Sequence, residues 1–243
     1  MPKPSQHTSI AASLRDDILR GQYREGERLP SERDLAERFG VHRSTIREAF
    51  KRLEQLGVAD IQRGGARVNP IEHASLDVVE HLLALEDPPS PELVDQTLET
   101  MSGLLAMSAR LATERATDDQ RDALLDKIRE IARDTEQPSQ RASRFSELGD
   151  LFVEASGNLV FRLVRNGLQS RYSEYVMPDH RTDRVPEAAV TPLLGSLAIA
   201  IETSDAEAAS EAILAITSEL RVHMRERLET ERSAPTVAVG TGR

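Results

Sequence analysis

Basic side chains concentrate in one short stretch near the N-terminus. Six of them lie between positions 33 and 52, and two more follow by position 67. An arginine guanidinium presents its N–H donors as a planar fork, which matches phosphate oxygens and the acceptor edge of guanine. A basic cluster alone more often marks a solvated surface, so the elements that carry it decide its meaning. The cluster consists of Arg33, Arg38, Arg43, Arg47, Lys51, Arg52, Arg63 and Arg67.

Charge is unevenly divided along the chain. Residues 1–70 hold 13 Lys and Arg against 10 Asp and Glu, whereas the remainder holds 18 against 31, and the whole chain carries −10. An acidic body behind a basic head favours an anionic partner for the N-terminal part, although the asymmetry is a weak signal by itself.

Composition limits the chemistry and the fold. The 243 residues leave room for one large or two ordinary domains, and they include no Cys, which excludes disulfides and thiolate nucleophiles. Aromatic residues make up 3% with no Trp, so a core built from aliphatic side chains favours packed helices. No stretch reaches the roughly 20 apolar residues of a membrane span. We therefore expect a cytoplasmic protein with no membrane partner.

Three helices are predicted in the first 56 residues. Ile10, Leu14 and Ile18 recur at helical spacing behind a possible cap at Thr8-Ser9. The second helix begins after Ser31, which with Asp34 occupies capping-box positions, and it ends at Phe39-Gly40. The third helix runs from Arg43 to about Leu56. Its buried face is predicted to consist of Ile46, Ala49, Phe50 and Leu53.

The third helix keeps its polar residues on the opposite face and in its first turn. Two short helices joined at a glycine are typical of a helix-turn-helix, whose second helix enters the major groove. The segment 58–68 alternates apolar residues on both sides of Gly64-Gly65, which predicts a β-hairpin. A hairpin in this position is a wing, and an arginine at its tip could reach the minor groove.

The segment 29–57 reads LPSERDLAERFGVHRSTIREAFKRLEQLG and resembles the GntR family of bacterial transcription regulators. The resemblance implies that DNA contacts come from the Arg of Pro-Ser-Glu-Arg, the start of the recognition helix and the wing tip. These positions are Arg33, His42, Arg43, Ser44, Thr45, Arg47, Arg63 and Gly64. For His42, capping of the helix and contact with DNA both remain open. Arg38 and Arg52 are expected to be solvated.

The chain beyond the wing is predicted to be helical. We expect helices near 91–115, 118–136, 140–155, 159–176, 187–203 and 205–230, the first opened by the cap and proline Ser90-Pro91. The predicted fold class is mainly α, an N-terminal winged helix-turn-helix followed by an all-helical bundle. The predicted domains are the DNA-binding domain 1–70, a linker with a short helix 71–89, an effector-binding and dimerisation bundle 90–232, and a disordered tail 233–243.

An all-helical bundle behind a winged helix-turn-helix is similar to the FadR branch of the family, with further likeness at 152–158 and 166–172. Most members of that branch hold a divalent metal through one Asp and three His. The matching positions here are Phe145, Gly149, Leu194 and Ile216. Apolar side chains cannot ligate a divalent ion, so we expect no metal and no cofactor.

The resemblance implies a ligand-responsive regulator that binds a palindromic operator as a homodimer. Loss of the metal favours the fatty-acid-responsive members, whose effector is a long-chain acyl-CoA that releases DNA. A regulator of another carboxylate metabolite and a ligand-blind DNA binder remain alternatives. An enzyme is not expected, because the sequence has no nucleophile elbow, phosphate loop or His-rich metal motif. Polar residues that could line an effector cavity are Arg110, Asn166, Tyr172 and Tyr175.

Overall fold

The computed structural model describes residues 6–62, 65–133, 138–176 and 187–233, with side chains except at 138–142, 168–176 and 187. Arg63 and Gly64, assigned to the wing tip, lie outside the described residues, as does the predicted tail beyond Ser233. The chain divides into two compact units, Met1–Asp87 and Pro88–Arg243. The first holds a helix-turn-helix with an antiparallel hairpin, and the described part of the second is helical, so the predicted fold class is confirmed.

Three helices open the N-terminal unit: α1 spans Gln6–Leu19, α2 spans Glu32–Phe39 and α3 spans Arg43–Gln55. Helix α1 begins earlier than expected, so Thr8 and Ser9 lie inside it and do not cap it. The prediction of that cap was wrong, because Gln6 and His7 continue the helix without a break. The expected bounds of α2 and α3 are confirmed.

Both ends of α2 are fixed by side-chain and backbone chemistry. The Ser31 hydroxyl accepts the Asp34 N–H at 3.2 Å and donates to the Asp34 carboxylate at 2.7 Å. That hydrogen bond, followed by those from Arg33, lowers the pKa of Asp34. At the other end Gly40 adopts φ +65° and its N–H bonds the carbonyls of the last turn. The left-handed glycine turns the chain sharply into α3.

The inner face of α3 forms the centre of the N-terminal core. Ile46, Ala49, Phe50 and Leu53 are each no more than 2% exposed, which confirms the predicted face. They pack in one cluster with side chains of α1 and α2, including Leu14 and Leu35. Burial of this stripe sets the rotation of α3 and therefore decides which residues face outward.

The hairpin consists of strands β1, Ala59–Gln62, and β2, Gly65–Val68. Its register pairs Ala59 with Val68 and Gln62 with Gly65. Gly65 is thus the first residue of β2, and the hairpin expected over 58–68 is confirmed by its two described strands. Residues 26–29 also form backbone hydrogen bonds with β2. The Gly26 N–H donates to the Val68 carbonyl, and the Leu29 N–H donates to the Ala66 carbonyl.

Residues 69–83 are fastened to the N-terminal unit. They contain a 3-10 turn at Ile71–His73 and the helix α4, Val78–Leu83. Asn69 donates to the carbonyls of Val58 and Gly57, and Ser75 N–H donates to that of Leu56. Farther along, His81 Nε2 lies 3.0 Å from the Arg15 guanidinium. The short helix expected here is thus held by the body that carries the wing.

Among the described residues of the second unit there are six helices, close to their predicted positions. They are α5, Pro91–Arg115; α6, Asp118–Arg133; α7, Pro138–Ala155; α8, Leu159–Val176; α9, Glu187–Glu202; and α10, Ala206–Ser233. The expected cap of α5 is confirmed, since Ser90 Oγ accepts the Leu93 N–H. Ser233, assigned to the tail, is the last residue of α10. In the described parts of the chain, no helix is both long and apolar enough to cross a bilayer.

Helices α5 and α10 form the most extensive helix pair of this unit. Alanines 106, 109 and 112 of α5 and 209 and 212 of α10 belong to one buried cluster. Small side chains let two helix backbones approach closely. Arg221 of α10 also donates to both carboxylate oxygens of Asp95 on α5, at 2.9 and 3.1 Å.

Gly57 supplies a test of how firmly 69–83 is attached. It has φ +72°, and a Cβ there would lie 2.5 Å from the His73 carbonyl oxygen, whereas Gly21 has φ +74° and open space. Gly21→Ala should cost roughly 1–2 kcal/mol from its backbone conformation alone. Gly57→Ala should lower the Tm several degrees further, because the 3-10 turn must also move. Thermal unfolding followed by circular dichroism measures both, and equal losses would refute the close attachment.

Candidate DNA-binding surface and effector domain

The first turn of α3 presents its polar side chains outward. Arg43, Ser44 and Arg47 are exposed, and Thr45 is half-buried. His42 occupies the N-cap position and is exposed, but its side chain makes no capping hydrogen bond. Of the two roles left open for His42, capping is therefore wrong, and contact with DNA stays a prediction.

Arg33 lies in the first turn of α2. Its side chain is 72% exposed and bonds the Asp34 carboxylate at 3.3 Å through Nε and Nη2. An exposed pair of this length is weak and easily exchanged for another anion. Arg33 is thus available to a phosphate or a base edge.

Arg47 is held from one side by a residue that the sequence had not singled out. Its Nε donates to Glu32 Oε1 at 3.0 Å and its Nη2 to Oε2 at 2.8 Å. The pair joins the second turn of α3 to the first residue of α2. The hydrogen bond from Arg47 lowers the pKa of Glu32, and the same bond raises the pKa of Arg47.

The pair with Glu32 engages only one edge of the Arg47 guanidinium. Glu32 takes the edge formed by Nε and Nη2, while the Nη1 and Nη2 edge points away from it. A guanine accepts a bidentate contact from such an edge through O6 and N7. Glu32 therefore fixes the plane of the guanidinium without using the donors that would read a base. In the sequence, the residue that could have revealed this ion pair is the Glu of Pro-Ser-Glu-Arg, which lies fifteen positions before Arg47.

Other basic residues of the stretch have neighbours of their own. Lys51 pairs with Glu48 at 2.8 Å, and the Arg52 guanidinium lies 3.3 Å from His7 Nε2. Arg38 stacks 5.3 Å above the ring of Phe39. In the hairpin, Arg67 donates to the Gly26 carbonyl at 2.8 Å. Each of these residues thus has a contact within the N-terminal unit, whereas Arg43 is exposed in the first turn of α3.

In the second unit, the positions where the family's metal ligands would lie form no such site. Leu194 and Ile216 are buried in the main core, and Phe145 packs against it. At Gly149 a Cβ would lie 2.7–2.9 Å from the Arg165 guanidinium, so the missing side chain makes room for a cation. Arg165 bonds Asp150 and the Ser146 carbonyl. This donor set does not fit a divalent metal ion.

The residues predicted to line an effector cavity lie on α5 and α8. Arg110 is exposed and bridges Glu114 at 3.5 Å and Glu207 at 2.8 Å. Asn166 is exposed on α8. Tyr172 and Tyr175 also belong to α8, but their side chains lie outside the described residues. A ligand-binding role for these four stays a prediction.

A helix-turn-helix with a basic recognition helix, followed by a hairpin and then by a helical domain, is typical of one class of protein, the DNA-binding transcription regulators. Comparison with known proteins agrees. Residues 6–68 match the model of bacterial regulatory proteins of the gntR family, and residues 96–229 match the FCD domain. The HTH-type transcriptional regulator Mce2R of Mycobacterium tuberculosis is 32% identical over 166 residues, covering 67% of this chain and 68% of that protein.

Two further relatives illustrate the range of the match. A protein named fatty acid metabolism regulator from Klebsiella pneumoniae is 32% identical over 164 residues, 65% of each chain. The solved structure of Listeria monocytogenes Lar has a TM-score of 0.54 at 15% identity and covers 93% of this chain and 99% of that one, which supports the fold alone. The chain belongs to the GntR family of transcription regulators and carries an FCD domain. Regulators of this family bind DNA and are not enzymes, and the FCD domain binds small-molecule effectors.

Arg43 offers the most direct test of the DNA-binding surface. Arg43→Ala should weaken binding by about 1–3 kcal/mol and relax preference at one base pair, as loss of a bidentate contact does. Arg38→Ala, which removes the same charge from a stacked residue of α2, should have a much smaller effect. Fluorescence anisotropy on the preferred duplex and on single-base variants measures both. Unchanged affinity and preference in Arg43→Ala would refute the assigned orientation of α3.

Glu32→Gln tests the positioning of Arg47. The glutamine amide cannot accept both ionic hydrogen bonds from Arg47, so the Arg47 side chain becomes more mobile. The substitution also removes one negative charge from the surface. Non-specific affinity should rise and its salt dependence steepen by up to about one phosphate equivalent, whereas the specific-to-non-specific ratio should fall several-fold. Glu37→Gln makes the same charge change on exposed α2 and should preserve the ratio. If both variants behave alike, Glu32 acts only through its charge.

Proposed function

We propose that this protein is a transcription regulator whose operator contacts come from Arg33, His42, Arg43, Ser44, Thr45, Arg47, Arg63 and Gly64. One observation supports this most strongly: burial of the inner face of α3 leaves Arg43, Ser44 and Arg47 exposed at the start of a recognition helix. Arg43 and Arg47 suit guanine edges or phosphates, and the hydroxyls of Ser44 and Thr45 suit phosphates.

The protein acts as a homodimer on a palindromic site. Two copies related by a twofold axis place their recognition helices about one turn of DNA apart, about 34 Å. The first turns of α8 support a second copy, since Leu159, Val160 and Leu163 are 66, 64 and 60% exposed. Three large apolar side chains together on a helix surface are costly to leave in water.

The effector is a long-chain acyl-CoA, and it releases DNA. Two observations support this choice: apolar or glycine residues at the metal-ligand positions, and the similarity to a protein named fatty acid metabolism regulator. The effector needs only to bind the DNA-incompetent arrangement more tightly, by a few kcal/mol. Because 69–83 is fastened to the winged unit, any displacement of α4 moves the recognition helix with it.

The test begins with selection of preferred duplexes from a random library, followed by anisotropy on the best site. Palmitoyl-CoA should raise the operator Kd at least tenfold, about 1.4 kcal/mol. EDTA should change neither the operator Kd nor the effect of palmitoyl-CoA, because the donor set does not fit a metal. Coenzyme A without the acyl chain serves as the control.

Other outcomes separate the alternatives. If a short carboxylate releases the operator and palmitoyl-CoA does not, the protein is a regulator that responds to another carboxylate metabolite. Operator binding that no carboxylate or acyl-CoA alters would favour a ligand-blind DNA binder. Absence of any preferred duplex would refute the proposed DNA contacts themselves.

A further inference from the structure

Two arginines lie directly opposite each other at the edge of the hairpin. Residues 26–29 run antiparallel to β2, and within that pairing Arg28 is the partner of Arg67. The backbone hydrogen bonds on either side of this pair join the neighbouring residues, from Val68 to Glu27 and from Leu29 to Ala66. Arg28 and Arg67 are therefore a non-hydrogen-bonded pair, the type in which the two side chains start closest together.

Both side chains project from the outer face of the hairpin. Cross-strand partners share one face of a sheet, whereas successive residues of a strand alternate between faces. Ala66 and Val68, on either side of Arg67, are buried in the N-terminal core. Arg67 and its partner Arg28 therefore point away from that core, and both are exposed.

The two positive charges are not neutralised by the chain around them. Among the described residues, Arg28 forms no ion pair or side-chain hydrogen bond, and Arg67 donates to the Gly26 carbonyl at 2.8 Å. Asp60 is the partner of Arg67 on β1, but its carboxylate accepts from Gln62 at 2.6 Å, and in this part of the structure it forms no ion pair with Arg67. Like charges directly opposite each other destabilise a sheet, so an anion bound between the two guanidinium groups would remove a repulsion.

The pair lies at a defined distance from the end of the hairpin. The last described pair is Gln62 with Gly65, and Arg67 is two residues farther back, which corresponds to about 7 Å along the strand. The minor groove of DNA is about 7.5 Å deep, and the phosphate backbones form its edges. A hairpin whose end enters the groove therefore brings Arg28 and Arg67 level with a backbone phosphate.

We propose that Arg28 and Arg67 together bind one DNA phosphate at the edge of the minor groove that the wing enters. The proposal rests on the proposed function in that the hairpin must approach DNA, and it adds a contact outside the operator contacts assigned above. Guanidinium groups form paired, charge-assisted hydrogen bonds with phosphate oxygens. A phosphate carries no sequence information, so the pair supplies affinity and register and leaves base preference to α3.

Arg28→Gln is the mildest test, because Arg28 has no side-chain hydrogen bond or ion pair within the described residues to lose. Anisotropy with the full-length protein compares the selected operator with a duplex of unrelated sequence. Affinity should fall severalfold on both, with the specific-to-non-specific ratio unchanged, as expected for a phosphate contact. The Tm should equal or exceed that of the wild type, because a like-charge repulsion is removed. Arg38→Gln makes the same charge change on α2 and should affect binding much less.

A shared phosphate makes two further predictions. Replacing both arginines with Gln should reduce the slope of log K against log salt concentration by about one phosphate equivalent, not two. Single methylphosphonate linkages, introduced in turn along both strands of the operator, remove one phosphate charge at a time. At one such position, the wild type and Arg28→Gln should bind equally well.

Unchanged affinity of Arg28→Gln on both duplexes would overturn the proposal. So would a loss confined to the operator, a loss that persists at every methylphosphonate position, or a slope change of two in the double variant. A failure of the proposed function gives a different result, since wild-type protein would then select no preferred duplex. Its binding to the unrelated duplex would still test the arginine pair, and wild-type protein that binds no duplex would refute both.

Discussion

Burial of one apolar stripe on α3 decides which residues form the proposed DNA-binding surface. Ile46, Ala49, Phe50 and Leu53 recur at helical spacing, and their removal from water fixes the rotation of the helix. Once that rotation is set, Arg43 and Arg47 must face outward. The capped and glycine-terminated α2 then fixes where α3 begins. The recognition surface is thus the outer side of a hydrophobic interaction.

An ion pair further restricts the orientation of one of these exposed arginines. Glu32 reaches from α2 to Arg47 and holds one edge of its guanidinium, so a flexible cation becomes an oriented one. An arginine that is already oriented loses less side-chain entropy when it binds a base. In the proposed interface, Glu32 would thus favour selectivity at the expense of general attraction to DNA.

The second unit shows how a family site can change its chemistry within a conserved fold. The four positions of the metal ligands are apolar or glycine, and Arg165 fills the space that Gly149 leaves. A cationic and apolar environment replaces one suited to a divalent ion.

The sequence by itself determined the order of elements, because helix periodicity, caps and glycines act over a few residues. The bounds of α2 and α3, the buried face of α3 and the start of α5 all follow from such local signals. The signal at Thr8-Ser9 misled, because the preceding residues Gln6 and His7 already belong to the helix. Only the tertiary structure joined Glu32 to Arg47 and placed Arg165 against Gly149. These relations depend on packing between residues distant in sequence, and no local pattern encodes them.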